Sequence, residues 1–353
     1  MKKLILSIGA VALMVAVAVT AAVAKTAGSA DVCVLLPDTK SSVRWEQFDK
    51  PDIGAALKKA GVSYSIANAL GDAQKQKSQA DQCLSNGAKV IVITNVDPAS
   101  AAAIEKDAAS KGAKSIDYDR QTVGGSAVVY VSFDGGAVGG VQGRGLVAGL
   151  KAHGVYGKKP LIAELNGGKT DSNAFLFKTG YDKVLNPLYK NGTLVKGPDQ
   201  FVPGWLATNA QPIFDQMLIK TNNKIAGAIA ANDNIAGAVI ASLKAHKLQP
   251  IALTGQDASI GGAQNILAGW QSMTVYKPVP LEAAAVAKAA VQVLKGQKVT
   301  GVNASFPNGA GKKEPAVLIP VISVTKANVS RLFKDKFLKK SDVCVGDIKQ
   351  YCK

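Results

Sequence analysis

The chain has 353 residues, long enough for two domains, and its 47% hydrophobic content with 35 glycines excludes a disordered protein. A formal net charge of +17 invites a nucleic-acid reading, but the lysines are scattered, aromatics make up only 6%, and the chain opens on an export signal. No nucleic-acid partner is expected, and the charge fits weak attraction to an anionic cell envelope better.

In chain order, Met1-Lys2-Lys3 forms a basic start, an apolar run follows, and Ala22-Val23-Ala24 supplies small residues for cleavage. Residues 1–24 therefore read as a signal peptide. The alternative is a retained anchor, since the run approaches the roughly 20 residues that span a bilayer. A strand at Val32–Leu36 runs out to Arg44-Trp45 and precedes a helix over 51–60. A strand over 63–67 leads to a helix over 72–85 that ends on Asn86-Gly87, as helices do. The strand over 90–94 stops at Asn95, and the helix over 98–111 carries Pro98 in its first turn. Strands over 114–117 and 128–133 follow, the first running out to Asp119-Arg120. A second series starts with a strand over 160–165 that reaches Asn173, and the segment after Phe201 reaches Trp205. Strands over 225–230, 251–254 and 273–275 then reach Asn232-Asp233, Asp257 and Lys277. A helix over 281–294 and a late strand over 316–319 return the chain to the first sheet.

Alternating strands and helices imply right-handed βαβ units in parallel sheets. The expected fold is α/β, two similar Rossmann-like lobes joined by a multi-strand hinge. The first lobe is expected to span 25–133 with 277–322, and the second 134–276 with 323–340. Crossovers are expected near Asp134, Lys277 and Ile322, and residues 341–353 form a tail.

Ligands of open α/β sheets bind beyond the carboxyl ends of the strands. The residues there are arginines, amides, carboxylates and two indoles, which suit a small neutral molecule rich in hydroxyls. The chain has only four arginines, and two of them, Arg44 and Arg120, stand at strand ends, where a planar multi-donor fork is useful. No catalytic set is visible. Hydrolysis of a glycoside needs two opposed carboxylates, and only Asp257 has a strong claim to the pocket. Gly167-Gly168-Lys169-Thr170 mimics the end of a phosphate loop, but Ala163 stands where the first glycine is required. Gly140, Gly143 and Gly145 fit close helix packing near the hinge better than a dinucleotide fingerprint. With two histidines and no C-x-x-C, neither a metal nor another cofactor is expected. Four cysteines in an exported chain permit disulfides. Cys344 and Cys352 form the natural local pair. Cys33, on the first strand, and Cys83, on the second helix, either touch or are simply small buried residues.

These strand-end residues resemble those of the type I periplasmic sugar-binding proteins, the receptors of ABC importers. The string Ile116-Asp117-Tyr118-Asp119-Arg120, then Asp171-Ser172-Asn173-Ala174, Gly204-Trp205-Leu206, Ala231-Asn232-Asp233, Gly255-Gln256-Asp257-Ala258 and the run from Met273 to Pro278 stand in the family's order. The resemblance covers about 32–337, and within the family it points to receptors of D-xylose or a related monosaccharide. It implies sugar contacts by Arg44, Arg120, Asn173, Trp205, Asn232, Asp257 and Lys277. Trp45 is expected to contact the sugar too, and Asp119 to support the site by orienting Arg120. The implied partner is an ABC permease in the membrane, the implied location the periplasm or envelope exterior, and the expected form a monomer. A receptor for a chemotaxis or two-component sensor is the alternative, with a sugar-processing enzyme behind it. The cysteines and the extension after Lys340 fall outside the family pattern.

Overall fold

The computed structural model describes residues 29–309 and 311–352, so the expected signal peptide lies outside the described residues. In order, the elements are β1 (Val32–Leu36), a π-helical turn (Trp45–Asp49), α1 (Lys50–Lys59), β2 (Tyr64–Asn68), α2 (Ala73–Ser85), β3 (Val90–Ile93), α3 (Pro98–Ser110), β4 (Lys114–Tyr118) and β5 (Tyr130–Phe133). Then come α4 (Gly135–Ala152), β6 (Leu161–Asn166), α5 (Ser172–Lys190), β7 (Val195–Phe201), α6 (Ala207–Lys220), β8 (Ile225–Ala230), α7 (Asp233–Ala245), β9 (Ala252–Leu253), α8 (Ile260–Leu267) and β10 (Thr274–Tyr276). The chain closes with α9 (Val279–Leu294), β11 (Ala304–Pro307), β12 (Lys313–Ile319), β13 (Ile322–Val324), α10 (Ser330–Lys334) and α11 (Lys340–Val343).

The first sheet has the order β11-β12-β5-β4-β3-β1-β2, parallel throughout except at the β11–β12 hairpin. Its central strands are buried along their whole length, as parallel strands covered on both faces must be. The second sheet runs β7-β6-β8-β9, and a parallel bridge between Gln256 and Val275 continues it to β10, which pairs antiparallel with β13. The chain enters this lobe after β5, leaves it after β10, and returns through β13. The expected two-lobed α/β fold is present.

Both sheets share one logic. Strand order reverses between β1 and β3 in the first sheet and between β6 and β8 in the second. Such switch points open a crevice at the carboxyl ends of the strands. The helices that follow are capped from the sequence by residues at those same ends. Asp171 accepts from the Asn173 N–H to start α5, and Asn232 Oδ1 accepts from the Ile235 N–H at 2.9 Å to start α7. Within the second lobe α4 and α5 cross on glycines. A Cβ at Gly139 would strike the backbone of Phe177, and one at Gly180 would strike α4. That close approach accounts for Gly135, Gly139 and Gly143 of α4, while Gly145 and Gly149 lie against Met273, Ser272 and Ala252. Cys344 bonds to Cys352 in the tail, the natural local pair, and of the two readings left open for Cys33 and Cys83 the structure has the bond, between β1 and α2.

Candidate ligand-binding site

Between the lobes lies a narrow polar cavity of about 30 Å³. Arg44, Trp45, Asp119, Arg120, Asn173, Trp205, Asn232, Asp257 and Lys277 all line it, so every residue expected there from the sequence is brought together. Ser41, Ser42, Asp171, Phe177 and Gln256 complete the wall, and none of these five was expected.

Each side chain is held from behind. Arg44 is 2% exposed and is gripped by three carboxylates. Its Nε and Nη2 donate to Asp49 at 2.8 and 2.6 Å, Nη2 also to Glu282 at 2.6 Å, and Nη1 to Asp119 at 2.6 Å. That leaves one N–H of the five for a ligand. Burial works against the guanidinium charge, but Asp119, Asp49 and Glu282 outweigh it and hold the pKa above its ordinary range. Burial chiefly, with the charges of Asp119 and Asp49, pushes the Glu282 carboxyl well up despite Arg44. The Asp119 carboxyl stays below the usual range, since Arg44, Lys277 and Arg120 together overcome its burial.

Asp119 thus orients Arg44, and the expectation that it orients Arg120 is corrected. Arg120 turns to Asp171, with Nε 3.0 Å from Oδ2, and donates through Nη1 to the Asn95 carbonyl at 3.0 Å. The reason is local. Asp119 has a left-handed backbone, φ 61°, which sends the neighbouring side chains to different partners. Its carbonyl is fixed by Tyr130, Ser132 and Asn173, which donate at 2.8, 2.9 and 2.7 Å.

From the second lobe, Asp257 accepts from the Ser42 hydroxyl at 2.8 Å and meets Lys277 Nζ at 2.8 Å. Asn232 Nδ2 donates to the Ser41 carbonyl at 3.0 Å. Behind Asp257, Asp233 accepts from Ser259, Gln271 and Thr274, and burial lifts its carboxyl to about 6 in spite of them. The Trp45 indole lies 4.7 Å from the Arg44 guanidinium and 5.4 Å from that of Arg120, and its Nε1 donates to Ser41. Trp205 projects from the second lobe with its edge toward Phe177.

Among the described residues, four buried polar groups on the wall make no hydrogen bond: Trp205 Nε1 and Gln256 Oε1, and Arg120 Nε and Asp257 Oδ1, which are held only by their ion pairs with Asp171 and Lys277. Two donate and two accept. Buried groups are normally satisfied, so such a mixed set suits a ligand whose hydroxyls do both.

A two-lobed α/β fold of this topology, with a polar cavity at both switch points, is that of a type I periplasmic binding protein. The chain belongs to this family: the model of the periplasmic binding protein domain matches residues 32–298. It is 35% identical over 306 residues to the D-xylose-binding periplasmic protein of Escherichia coli (strain K12), covering 85% of this chain and 90% of that protein. Identity is 30% over 361 residues with the multiple sugar-binding periplasmic receptor ChvE of Rhizobium radiobacter, covering 97% and 99%. A solved carbohydrate transporter solute binding protein from Chloroflexus aurantiacus, in complex with D-glucose, superposes with a TM-score of 0.81 at 30% identity, covering 89% of this chain and 98% of that one.

Proposed function

We propose that this protein is an exported receptor that captures a monosaccharide, D-xylose foremost, between its lobes and delivers it to an ABC permease. The observation that carries the reading is the mixed set of incompletely paired donors and acceptors on the wall, beside two indoles. Asp257 only accepts, Arg44, Arg120 and Lys277 only donate, and Asn173 and Asn232 do both, matching the adjacent hydroxyls of a pyranose. Charged partners strengthen these bonds where water is excluded. An apolar ring face can rest on Trp205. The choice of D-xylose among monosaccharides is supported by the similarity to a D-xylose-binding relative. On this reading the lobes turn about the crossovers near Asp134, Lys277 and Ile322, and the mature chain acts as a monomer.

Titration calorimetry of the mature protein against pentoses and hexoses tests the proposal. D-xylose is expected to bind tightly and D-glucose more weakly. Asp257→Ala removes a buried charged acceptor, a loss of roughly 1.5–3 kcal/mol and thus at least about tenfold in affinity. Asp81→Ala, on the outer face of α2 where Asp81 pairs with Lys77, leaves affinity unchanged. If no monosaccharide binds, the receptor reading fails. If ribose or arabinose binds best, only the choice of sugar does.

A further inference from the structure

Behind Arg120, away from the cavity, three buried carboxyl groups meet without a cation. Asp117 lies on β4, Glu105 on the inner face of α3 and Glu314 on β12. Each grips a different point of the loop 119–126. Asp117 accepts from the Thr122 hydroxyl at 2.6 Å and from the Thr122 N–H at 2.5 Å. Glu105 Oε2 accepts from the Ser126 N–H, and Glu314 Oε2 from Gln121 Nε2 at 3.1 Å. Asn95 Nδ2 donates to the carbonyls of Arg120 and Gln121, so the whole loop is tied down.

Among the described residues, the charged groups facing the cluster are its own members. Lys312 and Lys313, next to Glu314 in sequence, are exposed, and the Arg120 guanidinium turns away to Asn95 and Asp171. Among the described residues, Oε1 of Glu105 and of Glu314 make no hydrogen bond. Like-charged carboxylates in such a site cannot all ionise, and they resolve the conflict by keeping protons.

We propose that this carboxyl triad is a proton-held clasp on the loop that positions Arg120, so that sugar affinity falls when the clasp loses its proton. The positioning half rests on the receptor reading of the cavity; the clasp itself does not. Burial first, then the neighbouring carboxylates, raises Asp117 well above its ordinary value, and burial raises Glu105. Burial and the charge of Glu105 lift Glu314 to about 8 against its bond from Gln121. A carboxyl raised in the folded state lends stability that is complete below its unfolded value and is lost as pH climbs to its folded value. For Glu314 that window runs from 4.5 to about 8.

Glu314→Gln keeps the shape of the protonated acid and cannot ionise. Urea titrations between about pH 5 and 8 should show the variant's folding constant gaining on that of the wild type, by up to about tenfold per pH unit for one proton. Over the same range wild-type affinity for D-xylose should fall several-fold while the variant's holds. Parallel stability curves would overturn the clasp. Diverging stability with parallel affinity curves would overturn the positioning of Arg120. If the wild type binds no sugar, the receptor reading and the positioning role both fall, and the stability curves still decide the clasp. Should Glu314→Gln not fold, Glu105→Gln removes a charge from the same cluster and must show the same divergence.

Discussion

Trp205 reaches the cavity by an uncommon backbone route. It and Gly204 both have φ of 62°, a left-handed conformation that costs a bulky residue about 1–3 kcal/mol. The indole then leans on Gly167 and Gly168, and a Cβ at Gly167 would collide with its benzo edge. Gly167→Ala should therefore dislodge the indole, weaken sugar binding about tenfold or more and shift tryptophan emission, with the fold intact. Overpacking of this kind costs roughly 1–3 kcal/mol. Unchanged affinity and emission in calorimetry and fluorescence would mean that the glycine does not seat the ring. The sequence showed these glycines only as an incomplete phosphate loop, because what they accommodate lies far along the chain. The nine expected wall residues were legible since each stands on a segment leaving the carboxyl end of a strand, Asp119 and Lys277 directly and Arg44 and Asn173 several residues on. Ser41, Ser42 and Gln256 lie on the same segments but have neither charge nor ring to single them out. Glu282 could have been noticed as the lone acid of an alanine-rich helix. Which guanidinium Asp119 holds was not legible, because adjacency in sequence does not set direction in space.

At the scale of elements, most strands were found from short apolar runs and most helices from their caps, with ends displaced by a few residues. The hairpin strand β11 (Ala304–Pro307) was missed because its residues alternate between exposed and half-buried and include a proline. The π-helical turn at Trp45–Asp49 was missed because tertiary contacts make it, Arg44 and Asp49 being pinned in one ion cluster. The cysteines were visible, but whether Cys33 and Cys83 meet depends on α2 packing beside β1. That bond closes a separation of 50 residues, which chain entropy values at about 4 kcal/mol. Replacing both cysteines with alanine should lower unfolding stability by roughly 2–4 kcal/mol in urea, with sugar affinity retained. Equal stability would show that the pair is not bonded in the native protein. The Cys344–Cys352 bond closes a much shorter loop and should contribute less.

For the whole molecule, the lobes touch across the cavity through polar groups that water can replace: Ser42 to Asp257, Asn232 to Ser41, Arg120 to Asp171, and Asn173 to the Asp119 carbonyl. On the function proposed above, a sugar that satisfies groups of both lobes would bind the closed arrangement better than the open one, and this difference would drive closure. Moving from mostly open to mostly closed takes roughly 5.5 kcal/mol of such preference. Small-angle scattering should give a smaller radius of gyration with saturating D-xylose than without it. Identical profiles beside proven binding would rule out closure as the response to sugar. The order of strands bears also on how the protein is made. The core of the second lobe comes almost entirely from one continuous stretch between α4 and β10, whereas β5 in the first sheet has no outer neighbour until β12 arrives. Ala283, Val286, Ala287 and Ala290 of α9, which pack on Val92, Ile116 and Val131, arrive late as well. The lobe that leaves the ribosome first is therefore the last to be completed, and until then it presents an apolar face and an unpaired strand edge to any factor that escorts the chain.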